Sequence, residues 1–305
     1  MKDKIVKIER QSLTVGLCAN LFMAFSGWAT FYLSGSEALL LDGNFSFILF
    51  LSSIAALKIS AIKANRSNTF PFGLYVSEAL YALLKGLLIG GVLLTALTGN
   101  VTKIVKYIQG EELSMLKTGP ILIYSIAMVV ICFSLSLFYH QQNKRTGNSS
   151  SMLETDKASS LVDGFMSAGT GAALVLIGYI NPASSFNFLL YIGDAIMVLL
   201  LAAIMAKQPI NIVREAFIEL AGGRLQNVDA YQAIEGAITQ TLSQKETTAS
   251  NVFISKTGSS YLVILSFTAA EVDSKGIAVL AQIKQSLTNK LTQDYPHIDI
   301  EFVLG

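Results

Sequence analysis

The chain has 305 residues, of which 52% are hydrophobic and only 14% are charged, and its net charge is +1. Its mean hydropathy is +0.54. A soluble domain carries about 25% charged residues, so this composition indicates a membrane protein, and the near-zero charge gives no basic field for binding nucleic acid. Both cysteines, Cys18 and Cys132, lie in apolar runs. Neither a disulfide framework nor a zinc–thiolate site is therefore expected.

Six apolar segments follow one another along the chain, each about as long as the 20 residues that a helix needs to cross a bilayer. They are residues 12–34, 37–60, 76–98, 119–139, 158–180 and 188–207. The first follows a charged opening that lacks a small-residue cleavage site, so we interpret it as a retained helix and not as a signal peptide. The sequence thus predicts an all-α transmembrane domain of six helices over residues 1–208.

The basic residues of the connecting segments are unevenly divided between the two sides that these spans define. One side has eleven Lys and Arg residues and the other has three, so the positive-inside rule predicts that both termini are cytoplasmic. We place the protein in the cell (inner) membrane. The larger group is Lys2, Lys4, Lys7, Arg10, Lys63, Arg66, Lys144, Arg145, Lys157, Lys207 and Arg214, and the smaller is Lys103, Lys106 and Lys117.

Residues 209–305 differ in pattern from the spans. Residues 229–244 have the periodicity of an amphipathic helix, and SNVFISKTGSSYLVILSFTA reads as two strands around a Thr-Gly-Ser-Ser turn. Residues 272–293 read as a second helix, and HIDIEFVL as a last strand. This αββαβ order predicts a small cytoplasmic α+β domain of the ferredoxin-like kind, joined to the sixth span by a short linker.

A few ionisable or polar residues interrupt the spans, and such residues usually face a bundle interior or a wet cavity. Asp42 lies in the run LLLDGNFSFILF, with Ser46 four residues later. Asp156, Ser159 and Asp163 share one face of span five, because their offsets are three and seven. Asp163 is our leading candidate for a cation ligand.

Lys85 lies about nine residues into span three, which is roughly 14 Å from the end of a helix. A partner inside the bundle is favoured over snorkelling of the ammonium group. We therefore predict that Lys85 is a charge partner of Asp42 or Asp163. In the structural alternative, Asp163 is a buried carboxylate whose function is only to pair with Lys85.

Two further residues of the spans have structural interpretations. Asp194, near the start of span six, is interpreted as a first-turn carboxylate that interacts favourably with the helix dipole. Gly43, next to Asp42, is predicted to let a neighbouring helix approach closely.

Four motifs resemble the signatures of the cation diffusion facilitator (cation efflux) family, in the family's order. They are GSEALLLDGNFSFI, NTFPFGLYVSEALYALL, DKASSLVDGFMSAGTGAALVLIG and GDAIMVLLLAAIMAKQPINIVREA. The resemblance implies six spans with a cytoplasmic α/β domain, export of divalent cations that is often in exchange for protons, and a homodimer in the lipid bilayer.

The resemblance also implies a degenerate metal site, so the chain is identified as a divergent member. The family has two ligands four apart on span two, which fall here on Phe45 and Leu49. On span five the corresponding positions are Ser159 and Asp163. Zinc prefers about four N, S or O donors in a tetrahedron, and neither a phenyl nor an isobutyl group offers one.

Two interpretations remain within the family. In the first, the protein is an antiporter whose oxygen-rich cation site is formed by Asp42 and Asp163 with oxygens of Asn44, Ser46 or Ser159. Such a site favours manganese, magnesium or a monovalent ion over zinc. In the second, the protein is a non-transporting or regulatory membrane protein in which Lys85 neutralises the remaining carboxylates. No cofactor beyond a divalent cation is expected, and no motif indicates an intramembrane enzyme.

Overall fold

The computed structural model describes residues 2–63, 65, 67–70, 73–145, 151–181 and 183–304. Up to residue 220 the described chain forms only helices. After residue 220 it forms helices together with a three-stranded sheet. The helices before residue 220 are α1 (Lys2–Ser34), α2 (Glu37–Ile62), α3 (Val76–Ile108), α4 (Thr118–Arg145), α5 (Ser151–Gly178), α6 (Leu189–Met205) and α7 (Lys207–Leu220). The later elements are α8 (Val228–Gln244), β1 (Asn251–Thr257), β2 (Ser260–Phe267), α9 (Ala269–Lys275), α10 (Ile277–Leu291) and β3 (Ile298–Leu304).

Six helical segments of the described chain are long and apolar enough to cross a membrane, which confirms the predicted spans. Each contains a stretch of 18 residues that is apolar on average and has at most two charged residues. Eighteen residues of helix extend about 27 Å, close to the thickness of the hydrocarbon core. The segments are Gln11–Ser34, Glu37–Ile59, Val76–Ile108, Thr118–Arg145, Ser159–Gly178 and Leu189–Leu220.

Only Ala206 separates α6 from α7, and the short linker expected before the C-terminal domain follows α7, at residues 221–227. Pro209 is the third residue of α7. Proline is tolerated in the first turn of a helix, where its missing N–H has no partner to lose. The apolar residues of α7 also recur at helical spacing, so the chain stays helical up to Leu220.

The residues pack as two compact units. The first contains the residues up to Ala55 together with Leu87–Pro209, and the second contains Ala56–Gly86 together with Ile210–Gly305. The second unit thus holds more than residues 209–305, and the predicted domain boundary stays a prediction.

One hydrophobic core runs through the first unit and takes side chains from all six spans. Burial of each such side chain stabilises the fold by about 1.5–3 kcal/mol in water, and within a bilayer the same packing acts through close van der Waals contact. The buried members are Met23, Ala38, Leu39, Leu41, Ile48, Ile89, Leu93, Ile121, Tyr124, Met128, Cys132, Leu174, Val198 and Ala202.

The second unit contains a three-stranded sheet in the order β1-β2-β3, with β1 and β2 antiparallel and β2 and β3 parallel. Strand β2 alternates, so that Val263, Leu265 and Phe267 are all buried on one face. In the register of the sheet, Val263 lies between Ile254 and Ile300, which are buried as well. The alternating patterns predicted these strands, and the structure confirms them.

Helices α8 and α10 contribute the other half of this core. Their buried apolar residues recur every three or four positions, which places them on one face of each helix. The single helix expected over residues 272–293 is wrong in one respect: it is divided into α9 and α10 at Gly276, whose φ is 78°. The αββαβ order otherwise holds, and with the six spans it is the predicted fold class.

Two carboxylates hold the turn between β1 and β2 from opposite sides, all within the second unit. Glu219, near the end of α7, accepts a hydrogen bond from the Gly258 N–H at 2.9 Å. Glu78, in the first turn of α3, accepts one from the Ser259 N–H at 2.6 Å. Each carboxylate also pairs with a lysine, Glu219 with Lys256 at 3.1 Å and Glu78 with Lys63 at 2.8 Å. We call these four side chains the turn clamp.

The turn clamp requires glycine at position 258. Its φ is 60°, and a Cβ there would collide with the Tyr75 carbonyl oxygen and the Glu78 carboxylate. We expect Gly258→Ala to lower the free energy of unfolding by about 2 kcal/mol or more, from backbone strain plus steric overlap. Thermal unfolding of the full-length protein in detergent, followed by circular dichroism, measures this loss.

Gly222→Ala is the matched control, because Gly222 has a φ of 70° but nothing within 4 Å of the new Cβ. Its free energy of unfolding should fall only by the cost of the backbone strain, about 1 kcal/mol. Equal losses in the two variants would contradict the steric part of the explanation.

Candidate functional site

Asp42 lies in α2 and is half-buried, and its partner comes from α4. The Tyr124 hydroxyl donates a hydrogen bond of 2.6 Å to Asp42 Oδ2. Tyr124 is 5% exposed and belongs to the core of the first unit. A carboxylate at membrane depth is costly unless a donor meets it, and the phenol supplies that donor without adding a charge.

Asp163 lies on α5, and the packing of the first unit brings it near Asp42. The two carboxylates are close enough for their charges to interact. Next to Asp163, α5 packs tightly against α4, because a Cβ at Gly164 would be 3.2 Å from the Cβ of Cys132. Asp163 is exposed at the surface of the chain.

Three other predicted site residues lie within one helical turn of these carboxylates. Ser159 is exposed one turn before Asp163, and Ser46 is buried one turn after Asp42. Asn44 is half-buried, and its amide oxygen accepts a hydrogen bond of 2.9 Å from the Trp28 indole N–H. A carbonyl oxygen has two lone pairs, so one remains after this bond. Cation binding by all three stays a prediction.

Lys85 lies on α3 in the second compact unit and is half-buried. Its predicted pairing with Asp42 or Asp163, which belong to the first unit, stays a prediction. Phe45, at a position where the family has a ligand, packs against the hydrophobic core of the first unit. Among the residues that the structure describes, no three His, Cys, Asp or Glu side chains are grouped as they would be around a metal ion.

Asp194 has a structural role that differs from the predicted one. It is the sixth residue of α6, beyond its first turn, and it is 2% exposed. Its carboxylate accepts hydrogen bonds from the Ser36 hydroxyl at 2.7 Å and from the backbone N–H groups of Glu37 and Ala38 at 2.6 and 3.3 Å. The negative charge thus meets the dipole of α2 and not that of its own helix.

The prediction for Gly43 is confirmed, since α1 and α2 approach each other closely at this residue. A Cβ placed on Gly27 of α1 would be 2.8 Å from the Gly43 Cα, and one placed on Gly43 would be 3.0 Å from a Trp28 ring atom. The close approach also explains the bond between Trp28 and Asn44, because the indole of α1 lies directly against α2.

Tyr124 is a site residue that the sequence analysis did not find. It lies in the apolar run of span four, where an aromatic residue is ordinarily a packing residue. The feature of the sequence that could have identified it is its phenol hydroxyl, a polar group that needs a hydrogen-bond partner when buried. Cys132, on the same helix two turns later, is also close enough to interact electrostatically with both Asp42 and Asp163. It is buried and free, as expected for a small core residue.

The comparisons with known proteins give one match. The family described as "Cation efflux transmembrane domain" matches residues 13–221, which covers all six spans and α7. No curated protein matches the sequence.

The role of Asp194 leads to a prediction about stability. Replacing Asp194 with alanine leaves the Ser36 hydroxyl and two backbone N–H groups of α2 without their acceptor. We expect the free energy of unfolding to fall by about 3 kcal/mol, because a buried charged acceptor is lost and its donors are left unsatisfied. Thermal unfolding of the purified protein measures this loss. Asp229→Ala, at an exposed position in α8, is the control, and losses of equal size would contradict the capping role.

Proposed function

The chain belongs to the cation efflux family, and from that membership we propose that it exports a cation in exchange for protons through a site formed by Asp42 and Asp163. Transport of a cation across the membrane follows from the family itself, which is a family of transporters and not of enzymes. The proton coupling and the composition of the site are the proposed part.

The proposal is carried by the proximity of the two carboxylates. Asp42 and Asp163 are 121 positions apart in the chain, yet both lie in the first compact unit, within range of each other's charge. Two negative charges in an apolar environment repel each other strongly, and a cation or a proton bound between them relieves that repulsion. A site that holds either one in turn has the chemistry that an antiporter needs.

The donors favour a hard cation over zinc. Phe45 and Leu49 offer no ligand atom, whereas the residues around Asp42 and Asp163 offer carboxylate, hydroxyl and amide oxygens. Manganese and magnesium prefer oxygen ligands, and zinc is more commonly bound by nitrogen and sulfur in a closed tetrahedron. We therefore propose Mn²⁺ or Mg²⁺ as the transported ion.

Everted membrane vesicles test the proposal directly. With a proton gradient imposed, addition of Mn²⁺ or Mg²⁺ should produce cation uptake and a matching movement of protons. Asp163→Asn keeps the shape of the side chain and removes its charge, so we expect uptake to fall by more than about tenfold, equivalent to about 1.4 kcal/mol of lost interaction.

Asp229→Asn is the matched control, since it makes the same chemical change at an exposed position in α8. It should leave uptake unchanged. Wild-type vesicles that move neither protons nor any cation of a panel of divalent and monovalent ions would contradict the proposed function.

One observation favours a second candidate, a non-transporting or regulatory membrane protein. The Asp42 carboxylate already has a partner in Tyr124, so a purely structural role also accounts for its presence. In that case Asp42→Asn lowers the stability of the protein while the metal content of cells stays unchanged. Under the transport proposal the same variant changes metal content.

The remaining features of the proposal come from the family and from the distribution of charge. We propose that the protein acts as a homodimer in the cell (inner) membrane, with both termini in the cytoplasm. The orientation is supported by the excess of Lys and Arg on one side of the spans.

A further inference from the structure

Tyr124 occupies one of the two oxygens of Asp42. Its hydroxyl donates to Oδ2 at 2.6 Å, a length typical of a strong hydrogen bond between a hydroxyl and a carboxylate. A carboxylate oxygen that accepts such a bond is a weaker ligand on that side, and the phenol also blocks the approach of an ion. Asp42 therefore offers a cation mainly its other oxygen, Oδ1.

The phenol is held in place by the packing of its helix. Tyr124 is buried in the core of the first compact unit, and the adjacent residue, Ser125, is packed so tightly against α5 that a Cβ at Gly171 would collide with its side chain. The contact between α4 and α5 fixes the backbone that carries Tyr124, and burial of the ring in the core restricts its rotamers. The hydrogen bond is thus a fixed part of the site and not a contact that an arriving ion displaces.

Divalent cations differ in how they use a carboxylate. Ca²⁺ takes six to eight oxygen ligands and often binds a carboxylate through both oxygens, whereas Mg²⁺ requires an octahedral shell and accepts one oxygen from each carboxylate. A site in which Asp42 is restricted to one oxygen favours the smaller ion.

We propose that Tyr124 is a positioning residue that holds Asp42 in a one-oxygen binding mode and thereby selects small octahedral cations, Mg²⁺ or Mn²⁺, over Ca²⁺. The inference rests on the proposed function, because Tyr124 has nothing to select unless Asp42 binds a cation. It adds a specificity role for a residue of α4 to a site otherwise formed by α2 and α5.

The test is the effect of Tyr124→Phe on ion preference in everted vesicles. The variant keeps the ring and removes only the hydroxyl, so Asp42 becomes free to bind through both oxygens. The ratio of Ca²⁺ uptake to the better of Mg²⁺ and Mn²⁺ uptake should rise by about tenfold, the change expected from losing one hydrogen bond to a charged group. Loss of packing alone would lower uptake of all ions alike and would not move this ratio.

Two controls sharpen the measurement. Tyr139→Phe removes a second buried phenol from α4, about 22 Å further along the helix axis, and should leave the ratio unchanged. Asp42→Asn and Tyr124→Phe should have non-additive effects on thermal unfolding, because both substitutions remove the same contact. If Tyr124→Phe fails to fold, Tyr124→Met also lacks the donor, fills a similar volume and should shift the ratio in the same direction.

The outcomes separate this inference from the proposed function. A rise in the ratio that is confined to the Tyr124 variants, together with non-additive unfolding of Asp42→Asn and Tyr124→Phe, supports the inference. Wild-type transport with an unchanged ratio in Tyr124→Phe, or an equal change in Tyr139→Phe, overturns the inference and leaves the transport proposal standing. Wild-type vesicles that move no cation overturn both.

Discussion

Carboxylates within apolar helices need hydrogen-bond donors from other parts of the protein, because the surrounding hydrocarbon supplies none. Asp42 of α2 receives the phenol of α4, and Asp194 of α6 receives the hydroxyl and backbone N–H groups at the start of α2. Both bonds join helices that are distant in the chain. They therefore restrict how α2, α4 and α6 pack in the first compact unit, and the core of that unit has to form around them.

The two carboxylates differ in what their surroundings leave available. Asp194 is 2% exposed, and its oxygens are occupied by three donors, so it has the character of a helix cap. Asp42 is only half-buried and has one oxygen engaged by Tyr124, while Asp163 nearby is exposed. A carboxylate that keeps an oxygen without a hydrogen-bond donor is typical of functional groups in membranes, since a group that binds an ion needs a free ligand atom.

The second unit likewise combines an apolar core with carboxylates that accept hydrogen bonds from distant parts of the chain. Its core comes from one face of the sheet and one face each of α8 and α10, an arrangement that amphipathic periodicity alone specifies. The turn between β1 and β2 adds a different element, because the half-buried N–H groups of Gly258 and Ser259 donate to Glu219 and Glu78. These carboxylates come from helices α7 and α3, and the turn is thereby attached to both of them.

Much of the fold could be predicted from the sequence, whereas only part of the site could. The six spans and the order of the C-terminal strands are local properties: a run of apolar residues or an alternation is visible in a short window. The division of the second C-terminal helix is local as well, because Gly276 interrupts a pattern that otherwise reads as one helix.

By itself the sequence determined that the protein is a six-span membrane protein of the cation efflux family, and its motifs predict that the two ligand positions of span two fall on Phe45 and Leu49. Only the tertiary structure decided which donor meets which carboxylate. Tyr124 and Asp42 are 82 positions apart, and Ser36 and Asp194 are 158 apart. No periodicity in the sequence encodes such pairs, because they depend on which helix faces come into contact when the spans pack.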